Sequence, residues 1–355
     1  MIAIVVDKLN SGLGIAATSR AQTNSDIQVI PALDFQSHLE LMKFLVEQSF
    51  SHIIFSWRES FADLYTIHSN SFYWHQLRQR SFLSVCFADL NFFVSEKSRV
   101  DFVCLTYSDL ILATSPEIKK KIRDSNRALA NVELFRDLPN RNNLISATTN
   151  IERIYDIIWV GNSTWGKNRM IKDHKRFHGI VRPLFERLVE INPSFKCIFI
   201  DLADGFVSNR EVVGLISQSK ILIQASRSEG TGLPVLEAMA LGTVPISTPV
   251  GVGQYLLDAF PECLVPIDPT VEDYIVKIQN IYESERFDDV SQKLINCFNS
   301  YSKICALDTM NLKSYKAKNY NPQIPERFYF RVLCKLKWKV RAFNSDLRSK
   351  SSKGK

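Results

Sequence analysis

Short apolar runs rich in Val, Ile and Phe alternate with longer stretches along most of the chain. Runs that are apolar throughout are typical of strands buried on both faces of a parallel sheet. They predict strands at Ile2–Val6, Ile27–Pro31, His52–Trp57, Phe82–Phe87, Leu110–Thr114, Tyr155–Val160, Lys196–Ile200, Ile221–Ala225 and Thr243–Ser247.

Several of the stretches between these runs carry apolar residues at helical spacing. They predict helices at Phe35–Gln48, Glu117–Arg123, Phe177–Ile191, Asn209–Ser217, Pro234–Leu241, Glu272–Tyr282 and Asp288–Tyr301. Strands that alternate with helices in this way indicate an α/β fold, with helices on both faces of each parallel sheet.

A polar stretch at 139–150 has neither an apolar period nor a charge pattern, and it predicts a linker. We therefore expect two Rossmann-like, doubly wound domains, at 1–145 and 151–310. The carboxyl ends of their strands would face a cleft, where ligands bind in open α/β sheets. The chain would end in a basic amphipathic segment, 311–345, and a disordered basic tail, 346–355.

Within that segment, 327–343 combines an apolar seam with a basic stripe. Two interpretations are open: a helix that packs its seam on the first domain, or one that lies on an anionic membrane surface. The seam consists of Phe328, Val332, Leu336, Val340 and Phe343, and the stripe of Arg327, Arg331, Lys335 and Lys339.

The net charge of +7 is local, because residues 326–355 contain ten Lys and Arg against two acidic residues. This distribution argues against a uniform nucleic-acid-binding surface. The seven cysteines form no CxxC pair and lie mostly in apolar runs, which indicates buried thiols in a reducing compartment. With no secretion signal and no apolar stretch long enough for a transmembrane helix, we expect a cytoplasmic protein.

Residues 226–242, SRSEGTGLPVLEAMALG, join a predicted strand to a predicted helix through a glycine-rich turn. Pro234 suits the first helical position, and Gly242 suits the position just past the helix end. The backbone N–H groups of the turn would gather at the helix N-terminus, where phosphate or sugar oxygens bind. Two glutamates, Glu229 and Glu237, have seven residues between them and bracket this turn.

The chain resembles the family 4 glycosyltransferases of the GT-B type. The likeness rests on 221–253, which has the family's order of strand, Glu-Gly-x-Gly, helix with a second Glu, and glycine-containing turn. YDIIWVGN and KDHKRF within 155–177, and SDLILATSPEIKKKI at 108–122, add to it. The likeness is strong over 155–257 and weak over 1–105.

The resemblance implies transfer of a sugar, with retention of configuration, from a nucleotide-sugar donor, without a metal or another cofactor. It implies that Glu237 holds the donor ribose and that Glu229 reaches the transferred sugar, because carboxylates accept strong hydrogen bonds from hydroxyls. The other predicted donor-binding residues are Gly230, Thr231, Gly232, Leu233, Gly161, Asn162, Lys167 and Ser226.

The sequence departs from the family pattern at the predicted diphosphate site. Asn162 follows the glycine of the first strand of the second domain, where the family usually has Arg, and Lys175-Arg176 stands where the family has Lys-Gly. We predict that Lys175 is the catalytic cation that stabilises the leaving diphosphate. The alternatives are Lys167, Arg169 and Lys172.

A second departure lies in the first half, where Ala88-Asp89 replaces the family's His-Asp. Asp89 is a candidate catalytic residue or a helix N-cap. His68 is a candidate on the acceptor side or a structural histidine. Gly12 and Gly14 are candidates on the acceptor side, although their turn is equally compatible with a purely structural role.

Together these features predict a metal-independent hexosyltransferase, with a nucleotide sugar and a glycan or lipid-linked acceptor as partners and no nucleic acid. The resemblance implies assembly of bacterial lipopolysaccharide, capsule or exopolysaccharide, with contact between 327–343 and the inner face of the cell membrane. One alternative is a GT-B sugar-nucleotide epimerase, although the run EGTGLPVLEA favours the transferase. The other is a catalytically weak relative that binds a nucleotide sugar, which the missing Arg at Asn162 leaves open.

Overall fold

The computed structural model describes residues 1–88, 98–125, 130–148, 152–164, 173–282, 286–312 and 315. No helix within these ranges is both long enough and apolar enough to cross a membrane. Some predictions concern residues outside them, namely Asp89, Lys167, Arg169, Lys172, the segment 327–343 and the tail 346–355.

The first half of the chain forms a six-stranded parallel sheet in the order β2-β1-β3-β4-β5-β6. Alternate residues of its first strand pack into different cores, with Ala3 and Val5 on one face and Ile2, Ile4 and Val6 on the other. Burial on both faces explains why the strands are continuous apolar runs. The strands are β1 (Ile2–Val6), β2 (Ile27–Pro31), β3 (His52–Phe55), β4 (Phe82–Phe87), β5 (Leu110–Ala113) and β6 (Asn131–Leu134).

The second half forms a four-stranded parallel sheet in the order β10-β9-β7-β8. Its first strand is central, and Ile157 pairs with Ile221 on one side and with Cys197 on the other. Because the strands are parallel, the loops that follow them emerge at one edge of the sheet. The strands are β7 (Tyr155–Gly161), β8 (Cys197–Asp201), β9 (Ser219–Gln224) and β10 (Val244–Ser247).

Helices separate most of the strands, which confirms the predicted α/β class. In the first half they are α1 (Gly12–Thr23), α2 (His38–Glu47), α3 (Arg58–His68), α4 (Phe72–Arg80), α5 (Ser98–Tyr107) and α6 (Pro116–Asp124). They continue with α7 (Arg141–Ala147), α8 (Arg182–Ile191), α9 (Asn209–Ser217), α10 (Leu233–Leu241), α11 (Gly253–Leu256), α12 (Val271–Tyr282) and α13 (Arg286–Leu312). A π-helical turn, Phe177–Val181, leads into α8.

The stretch predicted as a linker contains a helix, α7. Asn140 caps its N-terminus, because the Asn140 Oδ1 accepts a hydrogen bond of 3.2 Å from the Asn143 N–H. Leu144 is buried in the core of the second half. This helix cannot be predicted from the sequence, because a single buried residue in two turns gives no apolar period.

The last helix is longer than predicted and contacts the first half. Arg20 donates a 2.8 Å hydrogen bond to Thr309, and Arg136 forms a 2.8 Å ion pair with Asp308. Leu312 packs into a core of the first sheet. The end of α13 therefore connects the two halves. One of the two interpretations of 327–343 predicted such a contact with the first domain for that segment.

Candidate functional site

The glycine-rich turn after β9 ends where α10 begins. Gly232 occupies the N-cap position with φ of 82°, and Gly242 occupies the C-cap position with φ of 70°. Side chains rarely adopt this left-handed conformation, which explains glycine at both ends. A Cβ atom on Gly232 would also lie 3.0 Å from the Gln224 Oε1. The turn is therefore held close to the end of β9.

Four consecutive backbone N–H groups are available at the start of α10. Within the described chain, the N–H groups of Gly230, Thr231, Gly232 and Leu233 donate no hydrogen bond. Such groups at a helix N-terminus attract anionic oxygens, because they need acceptors and lie at the positive end of the helix dipole.

A second glycine turn, 249–253, supports this one. The Val252 N–H donates a 2.8 Å hydrogen bond to the Thr231 carbonyl. Gly251 has φ of 56°, and a Cβ atom there would lie 2.5 Å from the Thr231 oxygen and 3.0 Å from the Glu229 Cβ. Only glycine allows this approach, so the second turn fixes the backbone of the first.

The Lys175 ammonium forms an ion pair with Glu229 beside these N–H groups. The two side chains are 19% and 16% exposed, so both remain reachable by a ligand. Burial alone would raise the pKa of the Glu229 carboxyl. The Lys175 charge and hydrogen bonds from Lys175 and Ser226 outweigh burial and hold that pKa below its ordinary value. Glu229 is therefore ionised at neutral pH.

Backbone and side-chain contacts hold the Lys175 loop against the Glu229 loop. The His174 Nε2 lies 2.9 Å from the Ser228 carbonyl, and the His174 carbonyl accepts a 3.0 Å hydrogen bond from the Arg227 N–H. The buried Arg176 donates to the Ala225 carbonyl at 3.2 Å. Lys175 is thus positioned by both of its neighbours in sequence.

Glu237 lies on the buried side of α10 and is 2% exposed. Its Oε1 accepts a 2.9 Å hydrogen bond from the Nδ2 of Asn209. Burial raises the pKa of the Glu237 carboxyl to about 7, against the smaller opposite effect of the Asn209 bond. The pKa of Glu229 is therefore lowered and that of Glu237 is raised, although both residues belong to one turn and helix.

Asp137 is a site residue that no motif in the sequence indicates. It follows β6, and its Oδ2 accepts a 2.5 Å hydrogen bond from the Thr231 hydroxyl. Its carbonyl accepts another, at 2.9 Å, from the Tyr301 hydroxyl. Burial raises the pKa of the Asp137 carboxyl. This contact shows that the carboxyl ends of β6 and β9 face each other across the two halves.

The predicted residue Gly161 ends β7, and Asn162 follows it at the same edge of the second sheet. A Cβ atom on Gly161 would lie 2.4 Å from the Trp159 ring, so this glycine is required for packing. The Asn162 Oδ1 accepts hydrogen bonds of 3.0 and 2.8 Å from the N–H and hydroxyl of Thr164. Its side-chain oxygen therefore stabilises its own loop.

The residues predicted on the acceptor side lie at different places in the first half. Gly12 begins α1 with open space around it, whereas a Cβ atom on Gly14 would lie 2.1 Å from the Lys8 carbonyl. The close approach at Gly14 is thus to the chain's own backbone. His68 ends α3, about 16 Å along the helix from its start beside β3. His68 therefore lies at the end of α3 that is far from β3, and its contact with the acceptor stays a prediction.

A family model described as Glycosyl transferases group 1 matches residues 203–296, which contain both glutamates. A curated relative, the putative glycosyltransferase ORF330 of Acidianus filamentous virus 2, is 33% identical over 114 residues. The match covers 27% of this chain and 33% of that protein. The chain thus spans about a third of the length of this relative.

Solved structures extend the likeness to most of the chain. Sucrose-phosphate synthase from Thermosynechococcus elongatus has a TM-score of 0.56 at 17% identity, covering 88% of this chain and 98% of that one. HepE from Anabaena, in complex with UDP and glucose, has a TM-score of 0.61 at 11% identity, covering 88% and 99%. At these identities the likeness concerns the fold, and it confirms the predicted GT-B architecture.

Proposed function

We propose that this chain is a glycosyltransferase that moves a sugar from a nucleotide-sugar donor to a glycan or lipid-linked acceptor. The observation that carries the proposal is the Lys175–Glu229 ion pair beside the available N–H groups of 230–233. A cation and a row of N–H donors suit a diphosphate, and a carboxylate next to them suits sugar hydroxyls. The family model supports the same assignment, because it covers this turn.

In this proposal, Lys175 and the N–H groups at the start of α10 contact the diphosphate of the bound donor. Negative charge develops on that group as the bond to the sugar breaks. Fixed positive groups stabilise it without reorganisation, and one such contact lowers the activation free energy by about 3 kcal/mol. A basic side chain would thus do the work of a metal ion. Glu229 would accept hydrogen bonds from the transferred sugar, and Glu237 from the ribose.

We assign retention of configuration, because the resemblance implies it. The acceptor hydroxyl would attack the anomeric carbon from the face that the diphosphate leaves. The carbon–oxygen bond to the phosphate breaks while the bond to the acceptor oxygen forms. The acceptor proton passes to an oxygen of the leaving diphosphate, which gives a nucleoside diphosphate and a new glycoside.

UDP-glucose is the first donor to test, since HepE is described in complex with UDP and glucose. GDP- and ADP-sugars complete the donor panel. Precursors of lipopolysaccharide, capsule or exopolysaccharide are the acceptors that the sequence resemblance implies.

The test measures nucleoside diphosphate release and glycoside formation for the wild type, Glu229→Ala and Lys175→Met. Both variants are expected to lose about 100-fold to 1,000-fold in turnover, because each removes a contact to the reacting groups. Lys293→Met is the matched control, since Lys293 pairs with Asp289 on the exposed surface of α13. Nucleotide binding without turnover on any donor would instead indicate a non-catalytic relative.

A further inference from the structure

We infer that Asn209 is a positioning residue, which aims the Glu237 carboxylate at the donor ribose and is itself oriented by Asn143. This inference rests on the proposed function. It adds two residues that contact neither the diphosphate nor the transferred sugar. It also connects the ribose site to α7, the helix within the stretch between the two sheets.

Three side chains form a continuous chain of hydrogen bonds. The Asn143 Nδ2 donates to the Asn209 Oδ1 at 2.7 Å, and the Asn209 Nδ2 donates to the Glu237 Oε1 at 2.9 Å. Each residue comes from a different helix, α7, α9 and α10. Glu237 is thus connected through Asn209 to an element outside its own loop.

The directions of these two hydrogen bonds determine which protonation state of Glu237 is favoured. With the Asn209 oxygen engaged by Asn143, the Asn209 nitrogen must face the carboxyl group. An amide nitrogen only donates, so it favours the ionised carboxylate over the protonated acid. The Glu237 Oε2 accepts no hydrogen bond within the described ranges, which leaves this oxygen for ribose hydroxyls.

Among the described residues, few groups other than Asn209 affect the pKa of the Glu237 carboxyl. The elements packed against α10 are α7, α9, α13, β9 and β10. Among the residues that the structure describes, burial and the Asn209 bond are the two influences on the pKa of Glu237. Arg153 meets α10 at its far end, where it donates a 3.1 Å hydrogen bond to the Leu241 carbonyl. Glu237 is buried, and its pKa lies near neutral pH. Asn209 therefore provides the contact that opposes protonation of this carboxyl.

Removal of Asn209 should weaken nucleotide binding in a way that depends on pH. Without its hydrogen bond the pKa of Glu237 rises further, so the carboxylate forms only at higher pH. Calorimetric titration with UDP, GDP and ADP from about pH 6 to about pH 9 measures this effect. We expect Asn209→Ala to bind about tenfold more weakly at pH 7, in line with loss of a hydrogen bond to a charged group.

The shape of the pH profile separates positioning from a general loss of structure. Wild-type affinity should rise with pH through about 7. In Asn209→Ala the midpoint should move to higher pH, and affinity should recover there. Asn143→Ala should shift the midpoint in the same direction by less, and it serves as the second variant if Asn209→Ala fails to fold. Asn142→Ala, an exposed asparagine on the same helix, is the control that should match the wild type.

The outcomes distinguish this inference from the proposed function. Wild-type protein that binds none of the three nucleotides would overturn both. Wild-type binding together with unchanged midpoints in Asn209→Ala and Asn143→Ala would overturn the inference alone. So would an equal loss of affinity at every pH, since that is the result of a merely structural contact.

Discussion

Glu237 shows how a single residue can oppose folding and serve a site. A glutamate with 2% exposure keeps little hydration, and one amide hydrogen bond only partly replaces it. Folding therefore raises the pKa of this carboxyl to about 7, from about 4.3 in an unfolded chain. A residue that destabilises the native state when ionised is typical of a functional position.

Replacement of this carboxyl by an amide should stabilise the protein at high pH. Between about pH 4.3 and about pH 7 the folded state binds more protons than the unfolded state, so the free energy of unfolding falls as pH rises. The loss is complete above about pH 7 and amounts to about 4 kcal/mol. Glu237→Gln stays neutral, so we expect it to be more stable than the wild type at about pH 8. The difference should shrink toward about pH 4.

Urea denaturation at several pH values measures this difference. Glu186→Gln, which changes an exposed glutamate of α8, is the matched control. A stability difference for Glu237→Gln that does not vary with pH would show that the carboxyl has an ordinary pKa in the folded state.

At the scale of elements, the two glycine turns and α10 form one unit. The helix is fixed at its start by Gly232 and at its end by Gly242 and by the Arg153 bond to the Leu241 carbonyl. The turn that contains Gly251 holds the preceding loop from the other side. The positions of Glu229 and Glu237 therefore depend on backbone conformations that only glycine adopts readily.

Gly251→Ala should disturb this unit. Its Cβ atom would enter a space 2.5 Å from the Thr231 carbonyl, at a backbone φ of 56°. We expect a loss of about 1–3 kcal/mol in unfolding free energy and weaker nucleotide binding. Gly214→Ala in α9 is the control, because its Cβ atom would meet nothing within 4 Å. It should stabilise the protein by up to about 1 kcal/mol. Equal stability of the two variants would contradict the assigned role of Gly251.

The sequence predicts the elements that have a continuous apolar run or a clear helical spacing of apolar residues. Continuous apolar runs identify nine of the ten strands in the described part of the chain, and the paired glycines and Pro234 identify the bounds of α10 to within one residue. It does not predict β6, because Asn-Val-Glu-Leu at 131–134 is short and mixed. It also assigns no helix to α3 and α4. Their buried residues, such as Phe61, Leu64, Trp74 and Leu77, lie among polar and aromatic neighbours that obscure the period.

At the scale of the whole molecule, the two sheets meet at their carboxyl ends. The Thr231–Asp137 hydrogen bond joins the glycine-rich turn to the end of β6, and α13 contacts the first half through Thr309 and Asp308. The strand–helix alternation predicts that such edges face a cleft. It cannot identify Asp137, Asn209 or Asn143, because their partners lie far away in the sequence and depend on how the elements pack.

The part of the site that lies in one stretch of the sequence is the part that the sequence reveals. Glu229, Glu237 and the N–H groups between them belong to one local motif, and the family resemblance of 221–253 finds them in the sequence. Lys175 lies 54 positions from Glu229 and is identified only by its place in a resemblance. The structure brings these two residues together.

The nucleotide-sugar site at the start of α10 is tested most directly by a saturation-transfer NMR spectrum of the protein with UDP-, GDP- and ADP-glucose. We expect transfer to the ribose protons and to the protons of the glucose ring for at least one of these donors. Glu237→Gln should reduce the ribose signals selectively, and Lys175→Met should weaken all signals of that donor. Lack of transfer to every donor, or signals that stay unchanged in both variants, would contradict a nucleotide-sugar site at the carboxyl edge of the second sheet.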